Sequence, residues 1–413
     1  MLPPSYGRRA GVTLIAVAAL IPAPAAGSVE QHPEWGHLDT HSVASGTPGQ
    51  PTASPATRHR HRTQARHCPR RVRDRLHLRA TAGQLVMVGV PAHADGPSAA
   101  EEQAIRAGVG NLILTGRSAR GVDATAALVH RLRAVMRRGP AGLVRPEVAG
   151  DQEGGQVQVL SGPGFADMPT AAVQGSWSVR HLRRAAARWG GQLHRARVTL
   201  NLSPVLDVVP SGRVNEPVGR YDRGFGDTPG SVKRMGTAFV RGHGRAGVAV
   251  SIKHFPGLGR ATGNTDVTAG VVDRMTTRED RFLRPFRAAI EEGAAYVMMS
   301  SATYRRLDAT QPAAFSPLVM RDLLRGQLGF GGVVISDDLG HAVAVQHMAP
   351  GRRAVAFIRA GGDMALTVDA PTAVAMVDAL VRRARSHRSF RATIDEAVLR
   401  VLRRKADAGL VCT

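Results

Sequence analysis

The sequence predicts an α/β protein whose body is a single (β/α)8 barrel of the TIM type. Past Cys68, eight short β-rich apolar runs recur at 84–91, 111–114, 143–149, 198–202, 248–252, 296–300, 332–335 and 363–367. Helix-length amphipathic stretches rich in Arg, Ala and Leu lie between them, among them 122–138, 179–197, 231–245 and 278–292. Polar residues gather just beyond the runs. Repeated strand–helix units of this spacing build a parallel sheet. Eight units over about 340 residues fit a closed barrel with inserted loops better than the alternative, an open doubly wound sheet. No Gly-x-Gly-x-x-Gly loop follows the first run, which disfavours a dinucleotide fold.

Two segments of different character precede the barrel. Arg8 and Arg9 lead into an apolar run from Ala10 to Ile21, followed by Pro22-Ala23-Pro24-Ala25-Ala26-Gly27. A charged start, a short apolar centre and small residues at the exit are the pattern of a cleavable signal peptide, expected over 1–26. Its apolar centre makes about 18 Å of helix, too short for a bilayer core of roughly 30 Å. No stable membrane span is therefore expected, and the protein is expected to be secreted. Residues 27–67 lack apolar periodicity and carry Gly46-Thr47-Pro48-Gly49 and Arg58-His59-Arg60-His61-Arg62, the composition of a disordered basic linker. Such a run is a solvated segment, or a loose electrostatic tether to anionic cell-wall polymers, or a His-based metal site. The domain proper is expected over 68–413. In an oxidising compartment Cys68 and the penultimate residue Cys412 would join its two ends as a disulfide; two free thiols are the other reading.

Composition bounds the function. Of 413 residues 43% are hydrophobic, enough for a large core, and the formal net charge is +23. Only three of the 55 basic residues, Lys233, Lys253 and Lys405, are lysines. A uniform arginine excess over the whole chain reads as residue usage rather than as a phosphate-binding face. Aromatics at 4% also argue against base stacking, so no nucleic-acid partner is expected. Two cysteines exclude a Cys-rich zinc module.

A barrel places its chemistry beyond the C-terminal ends of its strands. There the sequence has Asp151-Gln152-Glu153-Gly154-Gly155 after the third run, then Asn201, Ser203 and Asp207 after the fourth. Lys253-His254-Phe255-Pro256-Gly257 follows the fifth, Ser300-Ser301 ends the sixth, and Ser336-Asp337-Asp338 follows the seventh. Each group alone reads equally as helix capping. Together they make a carboxylate-rich ring with one cationic pair, suited to a neutral polyhydroxylated substrate.

At these residues the sequence resembles the glycoside hydrolase family 3 N-terminal domain, in particular the single-domain bacterial β-N-acetylhexosaminidases that act on cell-wall muropeptides. The resemblance runs from Leu76 to Leu410. It is carried by DQEGGQVQVL at 151–160, LNLSPVLDV at 200–208, GRYDRGFGDTP at 219–229, KHFPGLG at 253–259 and VVISDDLG at 333–340. It implies a carbohydrate substrate, a β-glycosidase activity on terminal N-acetylglucosamine, and Asp337 as the nucleophile that forms a glycosyl-enzyme ester. It also implies that Asp151, Arg223, Lys253 and His254 bind the sugar, with Asp338 a structural partner. No cofactor and no metal are implied.

One loop departs from the pattern. The relatives take their general acid/base from an Asp-x-His pair after KHFPGHG. Here Leu258 replaces the second histidine of that motif, and Asn264-Thr265-Asp266 replaces the pair. Without the imidazole, another group must protonate the leaving oxygen. Asp266 is the first candidate, completing a two-carboxylate retaining hydrolase, and it would need a raised pKa, supplied by desolvation and by repulsion from Asp337. Asp222, Glu153 or His341 is the second. A catalytically weak carbohydrate-binding relative is the third. A β-glucosidase or xylosidase of the same family is the alternative in substrate.

Overall fold

The computed structural model describes residues 67–412. The expected signal peptide, and the expected linker apart from His67, lie outside the described residues.

Strands form where the apolar runs stand: β1 (Val86–Pro91), β2 (Asn111–Thr115), β3 (Val148–Gly150), β4 (Leu200–Asn201), β5 (Ala249–Phe255), β6 (Tyr296–Met299), β7 (Val333–Asp338) and β8 (Met364–Thr367). They pair in parallel with their sequence neighbours. β1 closes the barrel on β8, with Val86 opposite Ala365 and Val88 opposite Thr367. Closure excludes the open doubly wound sheet. Helices follow the strands in turn: α1 (Ala99–Arg106), α2 (Gly121–Arg137), α3 (Val179–Arg195), α4 (Pro229–Arg245), α5 (Arg284–Glu291), α6 (Leu318–Gln327, with π-type hydrogen bonding), α7 (Pro350–Ala360) and α8 (Ala370–Ser386). One more helix, α9 (Arg388–Asp407), comes after the eighth repeat.

α8 shows why these segments wind and dock. Asp369 caps its first turn by accepting from the Thr372 amide at 2.8 Å, and Pro371 costs nothing in a first turn whose amides lack helical partners. Ala373, Met376, Val377, Leu380, Val381 and Ala384 recur at helical spacing and are all buried. Each large apolar side chain so placed contributes about 1.5–3 kcal/mol. α1 begins with a reciprocal capping box between Ser98 and Glu101.

The third, fifth and seventh strands depart most from their runs. The run 143–149 yields strand only from Val148. Pro146 has no amide to donate, residues 139–144 make tight turns, and Leu143 stays 46% exposed. In the other direction, β5 continues through Lys253 and His254 to Phe255, and β7 continues through Asp337 to Asp338. The polar residues at those ends therefore sit on sheet, not on loop.

Cys68 and Cys412 are joined as a disulfide with Cα atoms 6.0 Å apart, so the thiols are not free. Among the described residues, no helix is long and apolar enough to cross a membrane.

Candidate active site

The polar strand ends meet at one mouth of the barrel. Asp151 stands directly after β3, at the start of a hairpin (Gln152–Gly154 with Val157–Gln158). That hairpin is stitched to β4: the Asn201 side chain accepts from the Gln152 amide (3.1 Å) and donates to the Gln152 carbonyl (3.0 Å). Its turn needs glycine. Gly154 has φ +108° and a Cβ there would lie 2.2 Å from the Pro169 carbonyl oxygen; Gly155 has φ +56°.

Beyond β4, a single helical turn (Gly219–Tyr221) leads to Asp222 in the left-handed region, φ +53°, and then to Arg223. Asn215 shapes this loop by accepting from the Val218 and Gly219 amides, and ties it to the β5 loop by donating to the Leu258 carbonyl at 2.9 Å.

Four charged side chains from these elements form one chain of contacts. Lys253 Nζ donates to Asp151 Oδ1 at 2.6 Å and lies 2.6 Å from Glu153 Oε1. Arg223 donates to Glu153 through Nη2 and Nε, at 2.8 and 2.9 Å, and through Nη1 to the Pro217 carbonyl at 2.8 Å. Burial works to raise the Glu153 pKa, but the charges of Arg223 and Lys253 outweigh it and hold the carboxyl at about 2. Burial likewise opposes the Lys253 charge, and Asp151 and Glu153 override it, so the ammonium group is held above its ordinary value.

His254 is set by a second carboxylate. Asp207 is fully buried and accepts from the His254 and Leu258 amides (3.1 and 2.8 Å), while its Oδ2 lies 2.7 Å from His254 Nδ1. An anion on Nδ1 keeps the proton there and leaves Nε2 free. Leu258, the sixth residue of KHFPGLG, is buried and packs into the core.

The departing loop folds back over the mouth. Asn264 Oδ1 accepts from the Asp266 amide at 3.0 Å, so this asparagine shapes the turn that presents Asp266. The carbonyls of Thr265 and Asp266 accept from the amides of Ala344 and Val343, each at 3.1 Å, which joins the loop to the segment following β7. Although Asp266 is an exposed residue, partial desolvation of its carboxyl raises its pKa, and the charge of Asp337 raises it further. His254 and Arg223 pull the other way, and the result is about 6.

Asp337 is half-buried near the end of β7, and its Oδ1 accepts from the Asp338 amide at 2.9 Å. Asp338 binds the chain instead: its Oδ1 accepts from the Gly340 amide at 2.7 Å. Burial raises its pKa, against which the Gly340 amide and His341 work. Arg353 of α7, buried, donates to the carbonyls of Leu339, Gly340 and Met348 and so fixes the turn behind Asp337. An arginine on the core side of a helix was its only sequence signal.

All six expected site residues, Asp151, Arg223, Lys253, His254, Asp266 and Asp337, thus lie on the strands and loops of this one mouth. Of the second group of acid/base candidates, Glu153 is buried and held ionised, with no proton to give near neutral pH. Asp222 and His341 are exposed, as Asp266 is, and His341 lies 3.6 Å from Asp338. Among the described residues, no group of three or more His, Cys, Asp or Glu side chains could hold a metal ion. A cavity of about 630 Å³ lies under the opposite ends of β5 and β6, lined by Arg183, Arg241, Arg245, Glu292 and Arg404 among others. None of the carboxylates of the mouth reaches it.

A parallel barrel carries its chemistry at the C-terminal ends of its strands, and carboxylates ranged there beside hydrogen-bonding donors are groups that glycoside hydrolysis uses. The family model of the glycosyl hydrolase family 3 N terminal domain matches residues 77–404. The chain belongs to that family and is a glycosidase acting on O-glycosyl compounds. It is 35% identical over 294 residues to a beta-hexosaminidase of Methylococcus capsulatus, covering 68% of this chain and 82% of the relative. The crystal structure of a beta-N-acetylhexosaminidase from Beutenbergia cavernae superposes with a TM-score of 0.78 at 47% identity, over 80% of this chain and 98% of that one. A glycoside hydrolase family 3 beta-N-acetylglucosaminidase from a Paenibacillus species gives 0.74 at 30% identity, over 82% and 64%.

Proposed function

We propose that the protein is a secreted retaining β-N-acetylhexosaminidase that removes terminal β-linked N-acetylglucosamine from cell-wall or chitin-type glycans, with Asp337 as nucleophile and Asp266 as general acid/base. The observation that carries this reading is the placement of the Asp266 loop, whose Thr265 and Asp266 carbonyls are bonded to the segment after β7 and so bring a second carboxyl to the Asp337 end of the mouth. Desolvation and the charge of Asp337 raise its pKa to about 6. Two carboxyls whose environments drive their pKa values apart are what a retaining mechanism uses. The substrate follows the relatives, named as hexosaminidases and an acetylglucosaminidase.

In the first step an Asp337 oxygen bonds to the anomeric carbon as the glycosidic C–O bond breaks, and protonated Asp266 gives its proton to the departing oxygen. In the second, ionised Asp266 takes a proton from water, the water oxygen bonds to the anomeric carbon, and the ester to Asp337 is released. Asp151, Arg223, Lys253 and His254 hold the sugar hydroxyls. Asp151 and Lys253 each spend one bond on the other and keep capacity to spare.

Trapping with a fluorinated glycosyl donor, followed by peptide mass spectrometry, tests the scheme. The label is expected on Asp337, and a label elsewhere despite turnover refutes it. Single-turnover release of aryl alcohol from a panel of aryl N-acetylglucosaminides, glucosides and xylosides separates the substrates. No burst with any of them means a carbohydrate-binding relative. Export and wall adherence rest on the Arg8-Arg9 leader and the Arg/His-rich linker. Fractionating a culture into cytoplasm, wall and medium tests both.

A further inference from the structure

We infer that Glu153 is a positioning residue: its buried carboxylate holds the Arg223 guanidinium and the Lys253 ammonium side by side and reserves their remaining N–H groups for the sugar, without touching the sugar itself. The inference rests on the carbohydrate-binding reading of this mouth.

Glu153 has little to offer substrate, since three contacts occupy its oxygens and its side chain is buried. Oε1 faces Lys253 Nζ at 2.6 Å and Arg223 Nη2 at 2.8 Å, Oε2 accepts from Arg223 Nε at 2.9 Å, and the side chain is only 3% exposed. The cations are not exhausted. Arg223 has five N–H groups and gives three, two to Glu153 and one to Pro217. Lys253 has three and gives two. Asp151 has an oxygen beyond the one that Lys253 uses. What remains free is a set of donors and an acceptor on three neighbouring loops and strands, the pattern that vicinal hydroxyls need.

Glu153 also makes that set electrostatically possible. Lys253 is buried and Arg223 half-buried, and each opposes the charge of the other, as the lowering influence of Arg223 on Lys253 shows. With Glu153 between them the four-residue chain is neutral. Without it the only carboxylate bonded to either cation is Asp151, on Lys253; Asp151 and Asp207 act on Arg223 through their charge but make no hydrogen bond to it. The guanidinium would then lose the fork that fixes its plane. Asp207, which follows β4, gives its bonds to His254 and Leu258, so it supports Arg223 by charge alone and cannot fix the guanidinium plane.

The test compares wild type with Glu153→Gln, Glu153→Asp, Arg223→Ala and the Glu153→Gln/Arg223→Ala double variant. The readouts are N-acetylglucosamine affinity by calorimetry across pH, kcat and KM on an aryl β-N-acetylglucosaminide, and Tm. Glu153→Gln is expected to weaken sugar binding about tenfold or more, and to raise KM more than it lowers kcat. Binding should also fail at a lower alkaline pH, because Lys253 loses one of its two anions while Arg223 stays beside it. Glu153→Asp should recover part of both. In the double variant the loss should fall well short of the product of the single losses. Affinity within twofold of wild type, or losses that simply multiply, overturns the inference. If Glu153→Gln does not fold, Glu153→Asp decides by the same two measures. If wild type neither binds nor cleaves any sugar, the functional reading fails and takes this one with it; wild-type binding matched by Glu153→Gln overturns only the role of Glu153.

Discussion

Asp266→Asn is the sharpest perturbation of the proposed chemistry. At its ordinary value of 3.8 an aspartic acid is protonated in only about one molecule in 1,600 at pH 7; with the value raised to about 6, about one in ten is. The barrel mouth therefore multiplies the acid form roughly 150-fold at pH 7. Asp266→Asn removes the titrating group and keeps the shape. For a substrate with a poor leaving group, kcat/KM should fall about 10²–10⁴-fold, the usual worth of a general acid. An activated aryl donor needs little protonation, so its glycosyl-enzyme should still form quickly and then persist, because the second step has lost its base. Azide, which needs no base, should restore turnover and yield a β-glycosyl azide. In wild type, kcat/KM should decline as pH rises through about 6, and that limb should vanish in the variant. The assay is steady-state and burst kinetics on aryl glycosides of graded leaving-group pKa between pH 4 and 9. Equal losses for good and poor leaving groups, with the alkaline limb still in place, would refute the assignment.

Further outcomes follow from the same structure. Because the folded-state pKa of Asp266 is raised, its ionisation works against folding as pH rises through about 6. Asp266→Asn should thus be no less stable than wild type at pH 7 by thermal melting. Reducing the Cys68–Cys412 bond, or replacing both cysteines with alanine, should cost about 3–5 kcal/mol and lower Tm by roughly 4–7 °C. Activity at 25 °C should survive, since neither cysteine lies in a loop of the mouth; loss of activity with no change in Tm contradicts this. Lys405 of α9 is fully buried, its ammonium donating to Gln84 Oε1 at 2.7 Å and the Gly110 carbonyl at 3.1 Å, and burial lowers its pKa to about 7 against the pull of Glu147. The unfolded chain keeps that proton up to about 10.5, so from pH 7 to about 10.5 it holds more protons than the folded one, and stability should rise with pH. Urea midpoints at several pH values should show this rise in wild type and a flatter profile in Lys405→Met.

Much of the barrel is legible in the chain because its strands are buried on both faces and read as short apolar runs between amphipathic helices. All eight strands lie in or beside such runs. The errors sit at the ends. Pro146 and the turns before it cut the third run down to Val148, while β5 and β7 run on into polar residues. A hydropathy pattern stops at Ile252 and Ile335, but backbone pairing does not depend on whether the next side chain is lysine or aspartate. α9 and its buried Lys405 were not legible: an isolated lysine in an arginine-rich helix looks like a solvated residue until a carbonyl and an amide oxygen meet it under the barrel.

In the site, the residue types and their order along the chain were determined by sequence alone. They include Asp337 after the seventh run, Lys253 and His254 after the fifth, and Asn264-Thr265-Asp266 on the loop beyond KHFPGLG. Tertiary structure decided what those residues do to one another. Glu153 meets Arg223 from 70 residues away, and Asp151 meets Lys253 from 102 residues away. Asp266 acquires its raised pKa only where its loop is bonded to the segment after β7 and its carboxyl comes under the charge of Asp337. A carboxylate's identity is written in the chain. Whether it is a buried anion at about 2 or a proton donor at about 6 depends on the charges and the solvent that folding leaves around it.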